Sequence, residues 1–303
     1  MLASEPVVVK DLVKKYDNLT VLDNINFTVK KGEVFGYLGP NGAGKTTTMR
    51  ILTGLSRNYG GECLLFGYTP AVKKSIYSKI GVLFEEKNLY ERLTGLQNLE
   101  FFSHIYDTEE EKIFNLLDRF GLLGWEQKKV STYSKGMKQR LLICRTLLHE
   151  PELLFLDEPT DGLDPHSADV IIKAIKEFVK CGKTVFLSSH NMDEVNEVCN
   201  RVAFLKEGKI ISIDTPDILK KKYGQSVLRI KIITKLQKKL ANIITAADKL
   251  VECGENVYLL DLTYKQNDHW QKLNKLKAIP EVEILSIHSC EASLKEVFKK
   301  ITS

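Results

Sequence analysis

Three short apolar runs frame the chain. Val34-Phe35-Gly36-Tyr37-Leu38 leads into a glycine-rich turn, Leu-Leu-Phe-Leu at 153–156 into two acids, and Thr-Val-Phe-Leu at 184–187 into Ser-Ser-His. Short apolar runs with polar residues at their C-terminal ends predict strands buried on both faces of a parallel sheet. Ligands of such sheets sit beyond the carboxyl ends of the strands, so all three runs deliver polar groups to one edge. Residues 7–32 predict two short antiparallel strands around the turn Asp17-Asn18. From about 88 to 148, periodic Leu, Phe and Ile without strand alternation predict a helical insertion. After Lys220, Lys221, Lys222, Tyr223 and Gly224 the pattern restarts. Strands are predicted at 227–232, 256–262 and 281–287, and helices near 235–250, 267–278 and 291–301. The expected division is a larger domain over 5–222 and a small α+β domain over 226–303.

The turn after the first run carries the most specific chemistry. Gly39, Pro40, Asn41, Gly42, Ala43, Gly44, Lys45 and Thr46 fit G-x-x-x-x-G-K-[ST] without mismatch, between a predicted strand and a predicted helix that continues through Thr47. The glycines let backbone N–H groups curl around phosphate oxygens. Lys45 reaches the β- and γ-phosphates, and the Thr46 hydroxyl ligates Mg²⁺. The helix N-terminus adds positive potential. ATP with Mg²⁺ is the implied ligand. The second run ends in Asp157 and Glu158. Two adjacent acids can be a solvated strand end, but behind a phosphate loop they take roles. Asp157 can hold Mg²⁺ through water, and Glu158 can polarise a water attacking the γ-phosphate.

A further stretch, Tyr133-Ser134-Lys135-Gly136-Met137-Lys138-Gln139-Arg140, resembles the L-S-G-G-Q-K-Q-R signature of the nucleotide-binding subunits of ABC transporters. Ser134, Gly136, Lys138, Gln139 and Arg140 match; Tyr133, Lys135 and Met137 depart and are similar to the variant of the drug- and bacteriocin-export branch. The resemblance covers residues 5–222. The ending Ala292-Ser293-Leu294-Lys295-Glu296-Val297-Phe298 is similar to the S-L-E-x-V-F ending of the daunorubicin, bacitracin and sodium export types. It implies an α/β fold of the P-loop NTPase type, with a RecA-like parallel core, an antiparallel β subdomain and a helical insertion, plus the small C-terminal α+β domain. It places Tyr16 against adenine, although a tyrosine near a strand end also serves as a packing residue. It makes Thr160-Asp161-Gly162-Leu163-Asp164 similar to the D-loop and His190 similar to the switch histidine at the γ-phosphate. Glu85 falls where most members carry a metal-contacting Gln, and Glu can still ligate Mg²⁺ or its water.

The resemblance also implies partners. The phosphate loop of one copy faces Ser134 and Gly136 of a second copy, or of a homologous ATPase subunit, with two ATP molecules sandwiched head to tail. The permease is a separate transmembrane subunit that docks near Glu85 and the helical insertion, which places the chain in the cytoplasm on the inner face of the cell membrane.

Composition narrows the alternatives. The 303 residues suit about two domains, and 43% hydrophobic with 27% charged residues exclude a disordered or collagen-like chain. No apolar run approaches the roughly 18–20 residues needed to span a bilayer, and the start lacks the pattern of a signal peptide. An intracellular chain that cannot cross a membrane by itself is expected. The six cysteines are scattered without a CxxC pair, which argues against a zinc cluster or redox dithiol. Of the net charge of +5, +4 falls in residues 226–303, too little to argue for a nucleic-acid partner, and none is expected. A soluble ATPase of the same family acting on the ribosome is the alternative, but such chains usually hold two cassettes and this one has a single copy of each motif. A coiled-coil DNA-maintenance ATPase needs hundreds of heptad residues between phosphate loop and signature, whereas Lys45 and Ser134 are 89 positions apart.

Overall fold

The computed structural model describes residues 5–70, 72, 74–84, 89–224, 227–234, 248–263 and 268–302. The chain divides into two compact units, Met1–Thr215 and Pro216–Ser303.

The first unit opens with β1 (Val7–Tyr16) and β2 (Leu19–Val29). They pair antiparallel across a two-residue turn in which Asp17 takes the left-handed region at φ 49°. Next come β3 (Val34–Leu38), the phosphate-loop turn and α1 (Lys45–Leu52). β4 (Gly60–Leu65) pairs with β1 and completes a three-stranded sheet of order β2-β1-β4. A short 3₁₀ turn, Lys74–Lys79, precedes β5 (Ile80–Leu83). Three helices make up the insertion: α2 (Gly95–Tyr106), α3 (Glu110–Arg119) and α4 (Lys135–Leu147). A capping box starts α2. The Thr94 hydroxyl accepts from the Gln97 N–H at 3.1 Å, and the Gln97 side chain accepts from the Thr94 N–H at 3.0 Å. The unit closes with β6 (Leu153–Asp157), α5 (Pro165–Lys180), β7 (Thr184–Ser189), α6 (Met192–Val198), β8 (Arg201–Lys206) and β9 (Lys209–Asp214).

The six-stranded sheet has the order β5-β6-β7-β3-β8-β9, parallel except for the β8-β9 hairpin. Every residue of β3, β6 and β7 is buried, as expected of central strands covered on both faces. Register aligns their carboxyl ends: Leu38 pairs with Ser189, and Asp157 with Ser188. The glycine-rich loop after β3, the paired acids after β6 and His190 after β7 therefore leave the sheet side by side. Beneath them an aromatic cluster joins the two sheets. Phe27 stacks on Phe35 at 5.4 Å, and Phe186 touches Phe27, Phe35, Tyr37 and Phe155 at 5.3–5.9 Å. Each buried ring contributes roughly 1.5–3 kcal/mol. The buried Tyr37 hydroxyl lies 3.3 Å from the Thr48 hydroxyl, which pins α1 to β3. Burial drives the Tyr37 pKa well above the usual phenol range.

The second unit comprises α7 (Pro216–Tyr223), β10 (Val227–Ile233), β11 (Lys249–Gly254), β12 (Val257–Thr263), α8 (Asp268–Lys277), β13 (Glu283–Cys290) and α9 (Leu294–Thr302). Its antiparallel sheet, β11-β12-β10-β13, buries Leu228, Ile230, Ile232, Leu260 and Leu262 against Leu273 and Leu276 of α8. Two expectations need correction. The division falls between Thr215 and Pro216, ahead of α7 rather than at 222–226. The physical reason is that α7 packs on α9, with Leu219 buried and Gly224 so close to Ala292 that a Cβ there would lie 2.3 Å away. The helix expected near 235–250 ends differently: Lys249 and Leu250 start strand β11, paired with Asp261 and Leu260. The rest of that stretch, 235–247, lies outside the described residues.

Candidate active site

Each glycine of the phosphate loop answers a different constraint. A Cβ on Gly39 would meet the Leu205 carbonyl oxygen at 2.7 Å, and one on Gly44 the Leu22 side chain at 2.5 Å. Gly42, at φ 79°, has nothing within 4 Å of where a Cβ would stand. The first and third glycines thus press the loop into the core, while the middle one bends the chain and leaves a cradle open. Ala43 closes the turn by donating its N–H to the Pro40 carbonyl at 3.1 Å. No side chain caps the start of α1, so its first-turn N–H groups are not taken by a capping residue.

The cradle is a cavity of about 370 Å³ lined by Val21, Asn41, Gly42, Gly44, Lys45, Thr46, Thr47, Asp157 and Glu158. Lys45 is 7% exposed. Its ammonium donates to the Gly39 carbonyl at 2.8 Å and stands 3.6 Å from Glu158 Oε1. The Thr46 hydroxyl donates to Asp157 Oδ2 at 2.8 Å, and the Ser188 hydroxyl donates to Asp157 Oδ1. Asp157 is therefore fixed from both sides.

Glu158 sits in the left-handed region at φ 48°, and its N–H donates to the Ser188 carbonyl at 3.0 Å. This strained turn aims its carboxylate along the strand edge. There Oε2 accepts from the His190 backbone N–H at 3.1 Å and from His190 Nδ1 at 2.8 Å. His190 Nε2 stands 3.6 Å from Asp161.

Ser134, Gly136 and Asp164 gather elsewhere, at the N-termini of α4 and α5. The Ser134 hydroxyl accepts from the Met137 N–H at 3.2 Å, and Asp164 caps α5 by accepting from the Ser167 N–H at 2.9 Å. The bonds from Ser167 hold the Asp164 carboxyl below the usual carboxylate range. A Cβ on Gly136 would lie 2.3 Å from the Ser167 hydroxyl, so this glycine is also required by packing inside the chain. Tyr16 ends β1, half exposed, with the Lys14 ammonium 4.5 Å from its ring centre, and is not part of the cavity wall. Glu85 lies outside the described residues.

Sequence motifs did not point to Ser188, Thr160 as a donor, or Glu194. The Thr160 hydroxyl donates to Glu194 Oε2 at 2.6 Å across 34 positions. Ser188 was visible only as a strand-end serine, and Glu194 as an acid in the first turn of a helix. A separate cleft of about 660 Å³ opens beside β5, α2 and α4, where Phe84, Tyr90, Phe102 and Tyr106 surround Arg145 and His149. Tyr106 stacks on His149 at 4.1 Å, and burial lowers the histidine pKa.

A family model described as ABC transporter matches residues 22–161. A fluoroquinolones export ATP-binding protein of Mycobacterium tuberculosis is 42% identical over 220 residues, covering 72% of this chain and 73% of that one. The daunorubicin/doxorubicin resistance ATP-binding protein of Streptomyces peucetius is 32% identical over 298 residues, covering 96% and 90%. Among solved structures, the ATP-binding subunit of an ABC transporter is 30% identical with a TM-score of 0.66, covering 72% of this chain and 93% of that one. A dimeric ATP-binding cassette in a post-hydrolysis state, bound to ADP and Pi, is 26% identical with a TM-score of 0.63, covering 69% and 98%.

Proposed function

The chain belongs to the ATP-binding proteins of ABC transporters, and from that premise we propose that two copies hydrolyse Mg²⁺-ATP head to tail to drive a separate permease exporting a drug, peptide or ion. The observation that carries this reading is that Lys45, Thr46, Asp157 and Glu158 line one cradle, with His190 bonded to Glu158, while Ser134 and Gly136 are not part of its wall. A second copy would bring the missing wall.

Within this reading Lys45 exchanges its contacts with Gly39 and Glu158 for the γ-phosphate. The Glu158 carboxylate accepts a hydrogen bond from the attacking water and draws off its proton. His190, aligned through its Nδ1 bond to Glu158, turns Nε2 toward the γ-phosphate oxygens. Thr46 and Asp157 suit Mg²⁺: one hydroxyl and one carboxylate, 2.8 Å apart, form the partial oxygen set that this ion takes alongside phosphates and water. Among the described residues no cluster of three or more His, Cys, Asp or Glu forms a protein-only metal cage. When bound there, Mg²⁺ neutralises charge on the β- and γ-phosphates. Glu85 and Tyr16 are assigned to the ion's surroundings and to adenine.

No helix among the described residues is long and apolar enough to cross a membrane, which fits a chain working through a permease at the inner membrane face. The aromatic cleft around Tyr90, Phe102 and Arg145 is the docking surface assigned to that permease. The ATPase domain is assigned to the first unit, and the accessory domain to the C-terminal residues. The test is Mg²⁺-ATP turnover by the purified full chain. Lys45→Ala, which deletes the only lysine among the described residues of the cradle wall, is expected to abolish nucleotide binding or turnover; normal turnover in that variant would refute the assignment.

A further inference from the structure

Glu194 stands in the first turn of α6, whose N-cap Asn191 accepts from the N–H groups of Asp193 and Glu194. It is 6% exposed, unusual for a carboxylate with no ion-pair partner among the described residues. Oε2 accepts from the Thr160 hydroxyl at 2.6 Å and from the Ser189 hydroxyl at 3.4 Å, whereas the buried Oε1 has no partner among the described residues. Burial pushes the Glu194 pKa up, the two hydroxyls pull it back, and the charge of Glu158 pushes it further up. A buried carboxyl with an unmet oxygen costs stability. Met192, Val195 and Val198 of the same helix are buried apolar residues.

The two donors show what this group achieves. Thr160 follows Glu158 by two positions and begins the turn 160–164. Ser189 directly precedes His190, and its hydroxyl also accepts from the Asn191 N–H at 3.0 Å. A single carboxylate oxygen thus fastens the segment after Glu158 to the strand end that carries His190. The Gln139 side chain donates to the Pro159 carbonyl at 2.8 Å, tying the same segment to α4, whose N-cap is Ser134. Residues 159 and 160 are gripped between α4 and α6.

We propose that Glu194 is a positioning residue: through Thr160 and Ser189 it clamps the 160–164 turn to the end of β7. The clamp fixes Glu158 relative to His190 and holds Asp161 and Asp164 where a second chain would meet them. It rests on the ATPase reading above.

The experiment uses the purified full chain, the single variants Glu194→Ala, Glu194→Gln and Thr160→Val and the double variant Thr160→Val/Glu194→Ala, with kcat, KM for ATP and thermal melting recorded for each. Glu194→Ala is expected to lower kcat about tenfold or more with KM within about twofold of wild type. Glu194→Gln keeps a carbonyl oxygen for both hydroxyls and should retain about half of wild-type kcat or more. Thr160→Val removes only the donor and should reproduce the kcat loss. The double variant Thr160→Val/Glu194→Ala should be no worse than Glu194→Ala alone, because that variant already lacks the bond that Thr160→Val removes. Wild-type kcat in folded Glu194→Ala, equal impairment of Glu194→Gln and Glu194→Ala, or additive losses in the double variant would overturn the clamp. If Glu194→Ala does not fold, Thr160→Val decides: unimpaired turnover overturns the proposal. A wild-type chain without turnover would sink the ATPase reading itself, and an active wild type beside an unimpaired Thr160→Val sinks the clamp alone.

Discussion

Replacing Glu158 by Gln separates geometry from chemistry at this site. The side chain keeps its length, and its amide oxygen can take the place of Oε2, where it accepts both the His190 N–H at 3.1 Å and Nδ1 at 2.8 Å. The anionic acceptor for the proton of the attacking water is lost. General-base catalysis contributes roughly a hundred- to ten-thousand-fold, about 3–5 kcal/mol of barrier, and kcat should fall by that much. Binding should move the other way. Glu158 Oε1 stands 3.6 Å from the Lys45 ammonium, and both side chains are largely shielded from water. At an effective dielectric of about 20 that attraction is roughly 4–5 kcal/mol before desolvation. Removing it releases Lys45 for the γ-phosphate, so ATP should bind Glu158→Gln at least as tightly as wild type. The assays are steady-state phosphate release and light scattering with Mg²⁺-ATP. The expected variant is nearly inactive and accumulates as an ATP-bound dimer. A folded variant that keeps more than about a tenth of wild-type kcat, or that binds ATP far more weakly, would refute the roles given to Glu158 and Lys45.

Phe186→Ala removes a fully buried ring that touches four other aromatic rings, and should cost about 3–5 kcal/mol of stability, read as a lower melting temperature; a loss under about 1 kcal/mol would mean the two sheets are joined by something else. Next in sequence to Tyr90 of the proposed docking cleft, Glu91 is paired with Lys138 at 2.6 Å, so its charge reversal would disturb α4 as well. The exposed Arg92 is the cleaner probe: Arg92→Glu should weaken co-purification with the membrane subunit and leave Mg²⁺-ATP binding unchanged, and undiminished co-purification would move the docking surface elsewhere. A chain ending at Thr215 should keep nucleotide binding measured by fluorescent-nucleotide titration; loss of binding by that folded chain would place part of the site in the second unit.

Much of the site was legible because its residues are local in sequence. The phosphate loop is one continuous turn, and Asp157, Glu158 and His190 each end an apolar run, so a parallel sheet was enough to gather them. The supporting contacts were not legible. Ser188 reaches Asp157 across 31 positions through the β6-β7 register, and Glu194 reaches Thr160 across 34, from α6 to the turn that follows β6. Gly136 was legible as part of the signature, while the structure adds a neighbour inside the chain, Ser167, that only the approach of α4 to α5 reveals. β11 was hidden because it is an edge strand with five of its six residues exposed, so its Lys, Val, Glu, Cys and Gly positions carry no clean alternation. The position of α7 depends on its packing against α9, some 75 residues on, which no local pattern encodes.

The central claim, that the cradle of one chain is completed by a second, is tested most directly by the concentration dependence of turnover. Mg²⁺-ATPase activity per chain is measured at saturating ATP from nanomolar to micromolar protein, with mass photometry on the same samples. The account predicts activity per chain that rises with concentration and reaches a plateau as ATP-bound dimers fill. Constant activity per chain down to concentrations where every particle is a monomer would contradict it.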